Sequence, residues 1–266
     1  MNIPTKMLTD NLSCLDSFTS LTLEEIHDVR LMDRIDTKYV APLSLLPTLL
    51  EEMRPYFRVQ EHNDRRIAAY TTQYLDTQEL SMFLMHHNGK LNRQKIRIRT
   101  YVDSNDAFLE VKNKNNKGRT KKIRVPFPHS HIDSLEELGE QRPFLDSHCL
   151  FPTASLVPCL SNDFNRITFV NNRMSERITV DFNLRFLNHR TEGQHTLHDF
   201  IILELKQDGW KHSDFKDILL RLRIKRRPFS KYCMGTILTD SAIKSNNFKR
   251  RIYLLNKYNQ YDSVRL

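Results

Sequence analysis

Arg93-Gln94-Lys95-Ile96-Arg97-Ile98-Arg99-Thr100-Tyr101-Val102 alternates charge and hydrocarbon. A β-strand sends successive side chains to opposite faces. Arg93, Lys95, Arg97, Arg99 and Tyr101 therefore share one face, and Ile96, Ile98 and Val102 the other. The pattern recurs. Phe108, Glu110, Lys112 and Lys114 oppose Leu109 and Val111. Arg177, Thr179, Asp181 and Arg185 oppose Ile178, Val180, Phe182, Leu184 and Phe186. Glu204 and Lys206 oppose Ile201, Leu203 and Leu205. One such strand is an ordinary surface strand. Several together predict a sheet whose charged faces share a surface, where like charges repel unless an anion lies among them.

Working outward, the spacing predicts a helix over 20–31, with Thr22 as N-cap and Glu25 completing a capping box. A strand over 34–40 follows, then a helix over 43–53 with Leu46, Leu49, Leu50 and Met53 as its apolar stripe. Strands are expected at 56–60, 67–76, 92–103, 107–114 and 119–127, with a turn at Asn115-Asn116-Lys117-Gly118. The stretch 128–162 reads as irregular, with a short helix near 134–140. Strands resume at 164–171, 176–187 and 200–206. Helices led by Ser213 and Ser230 follow, and the tail from Ser241 is basic with a weak helical stripe. No solenoid repeat and no low-complexity linker is present. The expected organisation is a helical lead-in at 1–30, one main domain at 31–240 and a basic tail at 241–266.

The expected fold class is α+β, a largely antiparallel sheet of about eight strands flanked by helices. Two arrangements stay open on pattern alone. The charged side can face solvent, or the sheet can close with that side inward and helices over the apolar outside.

The formal net charge of +9 over 266 residues calls for an anionic partner. At 39% hydrophobic residues a core is affordable at this size. No apolar run approaches the roughly 20 residues that span a bilayer, and Asp10 and Asp16 break the N-terminal pattern, so no signal peptide is read there. The expectation is a soluble, cytoplasmic protein. Cys14, Cys149, Cys159 and Cys233 form no C-x-x-C pair and read as free thiols.

Arg97 and Arg99 stand roughly 7 Å apart on one strand face, a fair match to neighbouring phosphoryl groups, whose oxygens guanidinium forks bind in pairs. A nucleic-acid reading stays open, because Tyr101 could stack a base, and against it stands the lack of aromatic residues interleaved with the basic residues of the other strands. Glu204 lies inside Ile201-Ile202-Leu203-Glu204-Leu205-Lys206, an otherwise buried-looking run, and a carboxylate there needs a Lys, an Arg or a metal. There is no G-x-x-x-x-G-K-[ST] loop. The His195/His198 and His129/His131 pairs sit in polar connections and do not read as catalytic metal sites.

These strings occur in a recognisable order: Asp33-Arg34-Ile35-Asp36-Thr37-Lys38-Tyr39, Tyr74-Leu75-Asp76-Thr77, Lys95 to Tyr101, Phe108-Leu109-Glu110-Val111-Lys112, Lys122-Ile123-Arg124, Arg177-Ile178-Thr179-Val180-Asp181, Ile202 to Lys206, and Phe229-Ser230-Lys231-Tyr232. Over roughly 25–250 the chain resembles the VTC domain, the catalytic module of vacuolar transporter chaperone polyphosphate polymerases, in its bacterial form. That module belongs to the CYTH-like triphosphate tunnel metalloenzymes.

The resemblance implies a closed antiparallel β-barrel tunnel with a basic lumen. It implies catalytic roles on the phosphates for Lys38, Arg97, Arg99, Lys112, Arg177, Glu204 and Lys231, with Glu204 holding Mn²⁺ or Mg²⁺. Arg34, Lys95, Lys122, Arg124, Arg166 and Ser230 become further substrate contacts. Arg227 joins them as the candidate for a basic position that is Pro228 here. Where triphosphatases of the superfamily carry Glu-x-Glu-x-Lys, this chain has Arg34-x-Asp36-x-Lys38, poorer in carboxylates and more cationic. The implied activity is a metal-dependent phosphotransferase that passes the ATP γ-phosphoryl group to a polyphosphate end. The alternatives are a triphosphatase or other nucleotide-processing tunnel enzyme, or a non-catalytic binder of polyphosphate or nucleic acid. The implied partners are ATP and inorganic polyphosphate. Eukaryotic relatives act with membrane proteins, which leaves room for a separate membrane partner that would hold this chain at the inner face of a membrane.

Overall fold

The computed structural model describes residues 12–27, 34–128, 139, 141–209 and 211–263, the side chains of 27, 34 and 259–263 excepted. Its strands are β1 (Ser20–Leu21), β2 (Arg34–Pro42), β3 (Phe57–Gln60), β4 (Ala68–Thr77), β5 (Arg93–Tyr101), β6 (Asp106–Lys114), β7 (Thr120–Phe127), β8 (Leu156–Asn171), β9 (Glu176–Asn188), β10 (Gln194–Leu197) and β11 (Phe200–Asp208). Its α-helices are α1 (Leu23–His27), α2 (Leu46–Met53), α3 (Ser81–His87), α4 (Gln141–His148), α5 (Asp214–Arg221), α6 (Lys231–Thr239) and α7 (Lys249–Ser263).

One sheet holds all the strands. Its main path runs β2-β11-β9-β8-β4-β5-β6-β7, with antiparallel neighbours throughout. Eight of the nine strands expected from the sequence form this path, and the ninth, 56–60, is β3, which pairs with β1 and β8 off it. The sheet curls strongly enough that Lys112 of β6 lies within electrostatic reach of Glu204 and Lys206 of β11 and of Lys38 of β2, at the far end of the path.

The closed ring of hydrogen bonds implied by the resemblance is not what encloses the charged face. Among the described residues no ladder joins β2 to β7. The free edge of β2 is covered instead by the chain before α6: Tyr39 bridges Arg226, and the Arg227 N–H donates to the Lys38 carbonyl at 2.8 Å. The Ser230 hydroxyl then accepts from Lys95 Nζ of β5 at 2.8 Å. Curl and a crossing segment do the work that ladder closure would do.

The apolar faces explain the curl. On the outside of one half, Tyr39, Ile167, Ile178, Val180, Leu203 and Leu205 pack against Leu46, Leu49, Leu50 and Met53 of α2 and Phe215, Ile218 and Leu219 of α5. The α2 stripe is the expected one, and its four members are fully buried. On the outside of the other half, Ile96, Ile98, Leu109 and Val111 pack under Leu145 of α4. The helices thus dry the outer face, and the alternation turns the charges inward.

Inside, α6 fills one end. Tyr232, Cys233, Met234 and Ile237 are buried among Val40, Tyr74, Phe164, Leu184, Phe186 and Ile202. The parity expected for β9 breaks here. Asn183 adopts φ +54°, beside a register irregularity against β8. Phe182 consequently stays with the outer core while Leu184 and Phe186 join the inner one. A bulge shifts a strand's faces by one residue, and nothing in the bare alternation announces it.

Gly235 marks how close α6 comes to the sheet. A Cβ there would stand 2.4 Å from Phe186 Cδ1 and 2.7 Å from Leu160 Cδ2, both on buried side chains. Alanine improves helix propensity by about 1 kcal/mol, whereas overpacking a core costs about 1–3 kcal/mol. Gly235→Ala should therefore lower the melting temperature by a few degrees in a thermal unfolding scan. An unchanged or raised midpoint would show that the helix seats less tightly.

Other expectations meet the structure unevenly. The Thr22 capping box forms, with Thr22 N–H donating to Glu25 Oε2 at 2.8 Å and Glu25 N–H to Thr22 Oγ1 at 3.3 Å. The expected 20–31 helix starts later: Ser20 and Leu21 pair with β3, α1 is described over Leu23–His27, and 28–31 lie outside the described residues. Ser213 and Ser230 cap α5 and α6. The helix expected near 134–140 lies outside the described residues but for Gly139, and α4 follows it. Strand β8 begins at Leu156 rather than 164, while β10 and α3 were not foreseen. The tail from 241 carries α7, whose weak stripe is explained by a short seam: Leu255 and the preceding Phe248 are its buried anchors. Cys159 and Cys233 are buried, Cys14 and Cys149 half-buried, and none of the four is in a disulfide. No described helix is long and apolar enough to cross a membrane.

Candidate functional site

The concave face encloses a cavity of about 900 Å³. Thirteen Lys or Arg line it against four Asp or Glu. That imbalance in a partly dry space selects for a multiply charged anion. The strand period puts Lys38 of β2, Lys95, Arg97 and Arg99 of β5, and Lys112 of β6 on its wall. Lys122 and Arg124 of β7, Arg166 of β8, Arg177 of β9 and Glu204 of β11 complete the ring, and Ser230 and Lys231 enter from the start of α6. Twelve of the fourteen candidate residues thus meet in one space. Arg227 does not line it and contributes its backbone to β2. Arg34 opens β2, but its side chain lies outside the described residues.

Three carboxylates organise these cations differently. Glu110, behind the wall, accepts from Arg97 Nε and Lys122 Nζ, each at 2.6 Å. Asp181 accepts both forks of Arg166, at 2.5 and 2.7 Å, and also holds Lys231. Both acids are saturated, and although burial alone would raise them, their cationic partners hold them well below the usual carboxylate range. Glu204 is looser. Its oxygens stand 3.6 Å from Lys38 Nζ and 3.5 Å from Lys206 Nζ, beyond good hydrogen-bond length. Burial opposes its charge, yet Lys206, Lys38, Lys112 and Arg166 keep it ionised. It is therefore the cavity-floor acid with oxygens available to another cation.

The lysines carry the strain of this crowding. Burial, then Arg97, lowers Lys112 to about 6, with Glu204 only partly compensating. Lys231 falls to about 7 through burial, despite Asp181, because Arg166 competes for the same carboxylate. Burial lowers Lys95 and Lys206 to about 8. Arg99 falls to about 10, through burial and the nearby Arg97 and Arg166. An entering anion relieves each of these groups.

Aromatic rings brace the guanidinium groups. Tyr70 and Phe164 stack at 5.2 Å, and Arg99 and Arg166 both lie over them at 5.3–5.7 Å. Tyr70, Phe164 and the Asp181 clamp are not among the candidates that the sequence offers, and Lys206 appears in it only as sharing a strand face with Glu204. The parity of Arg177, Thr179 and Asp181 was the available signal for Asp181, whereas Tyr70 and Phe164 had none.

No group of three or more His, Cys, Asp or Glu able to hold a metal occurs among the described residues. The donor set fits a cation that shares its coordination with substrate phosphates, as Mg²⁺ commonly does with one or two carboxylates. Glu204 is the residue that would hold it.

A comparison with protein-family models matches the VTC domain over residues 33–239. The chain belongs to the VTC domain family. Among solved structures, a candidate adenylate cyclase from Bacillus halodurans aligns with a TM-score of 0.51 at 12% identity, over 75% of this chain and 96% of that one. A candidate adenylyl cyclase from Hippeastrum with a dominant triphosphatase activity aligns at 0.48 and 13% identity, over 79% and 97%. The VTC domain here thus has the fold of the CYTH-like tunnel proteins. A comparison with curated proteins finds no match.

Proposed function

We propose that this VTC domain transfers the γ-phosphoryl group of ATP to the end of an inorganic polyphosphate chain. The observation that carries the reading is the enclosed ring of cations around one loosely held carboxylate, Glu204. In the transfer, a terminal phosphate oxygen of the chain forms a bond to the γ-phosphorus, the bond from that phosphorus to the bridging oxygen breaks, and ADP leaves with that oxygen. The nucleophile is already ionised at neutral pH, so no strong general base is needed. This suits a cavity whose saturated acids, Asp181 and Glu110, are occupied by cations.

Positioning and charge neutralisation then dominate the barrier. Arg97, Arg99 and Lys38 clamp the donor phosphates. Lys112, Arg177 and Lys231 hold the acceptor end, with Lys95, Lys122, Arg124, Arg166 and Ser230 extending the contact. A divalent cation, Mn²⁺ or Mg²⁺, held by Glu204 would supply further neutralisation at the β- and γ-oxygens.

The test is incubation with ATP, Mn²⁺ and a short polyphosphate primer. Chain growth with stoichiometric ADP is expected. Free phosphate or pyrophosphate without growth would replace the proposal with a triphosphatase, and binding without turnover would leave a polyanion binder.

A further inference from the structure

The basic face does not stop at the cavity. On β5 and β6, Lys95 stands directly opposite Lys112 inside it. The next rung on the same face pairs Arg93 with Lys114, and this rung lies outside. Like charges directly opposite each other destabilise a sheet unless an anion spans them. From Arg99 to Arg93 the row of cations runs about 20 Å along one strand.

Arg93 and Lys114 open onto a separate groove of about 620 Å³ at the end of these strands, shared with Arg119 and, from the opposite face of the sheet, with Asn113, Lys121 and the exposed Leu150. Among the described residues none of its four cations has a carboxylate partner. Cations elsewhere are of both kinds: Arg58 and Arg221 meet Glu25 and Glu52, whereas Arg54, Arg173, Arg190 and Lys225 meet no carboxylate among the described residues, so what sets the groove apart is that four such cations gather in it. From Val111 to Phe127 the sequence holds seven Lys or Arg and no acid.

His86 shows that cavity and groove adjoin. It lies within electrostatic reach of Lys95 in the cavity and of Arg93 and Lys114 in the groove, and also of Arg251 from α7. Its Nδ1 is buried without a hydrogen-bond partner among the described residues. Burial, then these cations, push it down to about 2, so it stays neutral and adds no charge of its own.

We propose that the Arg93–Lys114–Arg119–Lys121 groove is an external docking track for linear polyphosphate, binding the part of a long chain that the cavity cannot contain. The inference rests on the reading of the cavity as a polyphosphate site. The groove lining has no aromatic side chain on which a base could stack, which favours a bare phosphate chain over a nucleic acid.

The experiment compares tripolyphosphate with long-chain polyphosphate, by calorimetry and competition, on the whole protein. The variant carries Arg93→Gln, Lys114→Gln, Arg119→Gln and Lys121→Gln. A charge-matched control carries Arg54→Gln, Arg173→Gln, Arg190→Gln and Lys225→Gln, all exposed positions elsewhere. The groove variant should lose about tenfold in long-chain affinity, with a shallower salt dependence. Its tripolyphosphate affinity and melting temperature should match those of the unaltered protein.

Equal long-chain loss in variant and control would overturn the track. So would long chains binding the unaltered protein no tighter than tripolyphosphate. Loss of single-stranded RNA binding with polyphosphate affinity intact would assign the groove to nucleic acid and equally sink the proposal. A groove variant that shows the selective loss, in a protein that does not elongate chains, would keep the track and remove only the polymerase reading.

Discussion

Glu204→Gln should abolish phosphoryl transfer while the protein goes on holding polyphosphate. The substitution keeps the shape and removes one negative charge from a cavity lined by thirteen cations. Lys38 and Lys206, which stand 3.6 and 3.5 Å from that carboxylate, are released toward the ligand. Tripolyphosphate affinity without metal should consequently be no weaker than before. Turnover depends on charge stabilisation as the γ-phosphoryl group moves, and removing one such contact costs a factor of about 10² or more. Initial rates of ADP release and chain growth, set beside calorimetric affinities with and without Mn²⁺, separate the two effects. The enhancement of affinity by Mn²⁺ should vanish in the variant. Undiminished turnover would remove Glu204 from the metal role. Loss of metal-free binding together with turnover would make it a structural residue.

Triphosphate binding should take up protons, and its affinity should fall as the pH rises from about 6 to 9. In the ligand-free cavity Lys112 is held at about 6, Lys231 at about 7, and Lys95 and Lys206 at about 8. Each is mostly or partly neutral above its own value. An anion beside them favours the charged form and raises each pKa, so the bound state carries more protons than the free one. The sign follows: the ligand prefers the protonated cavity, and each proton taken up weakens binding by about tenfold per pH unit. Calorimetry in two buffers of different ionisation enthalpy counts the protons directly. Lys112→Ala should remove up to one of them and flatten the dependence between pH 6 and 8. Well below pH 6, where Lys112 is charged in both states, the same change should cost about tenfold or more in affinity. A pH-independent affinity, or an unchanged slope in Lys112→Ala, would show that Lys112 does not meet the phosphates.

Much of this arrangement was legible one strand at a time. The alternation in 93–101 places Lys95, Arg97 and Arg99 on one face because the strand period is two, whatever the neighbours do. The α2 stripe, the Thr22 capping box and the Ser213 and Ser230 caps are local in the same sense, since each involves contacts within four residues along the chain. Where a local rule was broken by a distant partner, the reading failed. The bulge at Asn183 moves Leu184 and Phe186 to the inner core. The start of β8 at Leu156 depends on pairing with Thr77 at the end of β4.

The family followed from the order of the motifs and the shared face of the charges from their parity, because both are properties of the chain; whether that face turns inward was left open by the pattern and was decided by the curl of the sheet. What encloses the cavity was decided only in three dimensions. Among the described residues no ladder closes the ring; helices drying the outer face and the segment at 226–231 enclose it, and although the α2 stripe is periodic, the period does not say which face of the sheet it covers. The division of labour among acids was also invisible beforehand. Glu110, Asp181 and Glu204 look alike in strand patterns, but Glu110 and Asp181 are saturated at 2.5–2.7 Å and Glu204 is not. Which carboxylate is left with oxygens to offer depends on distances between strands, and those exist only once the sheet has curled.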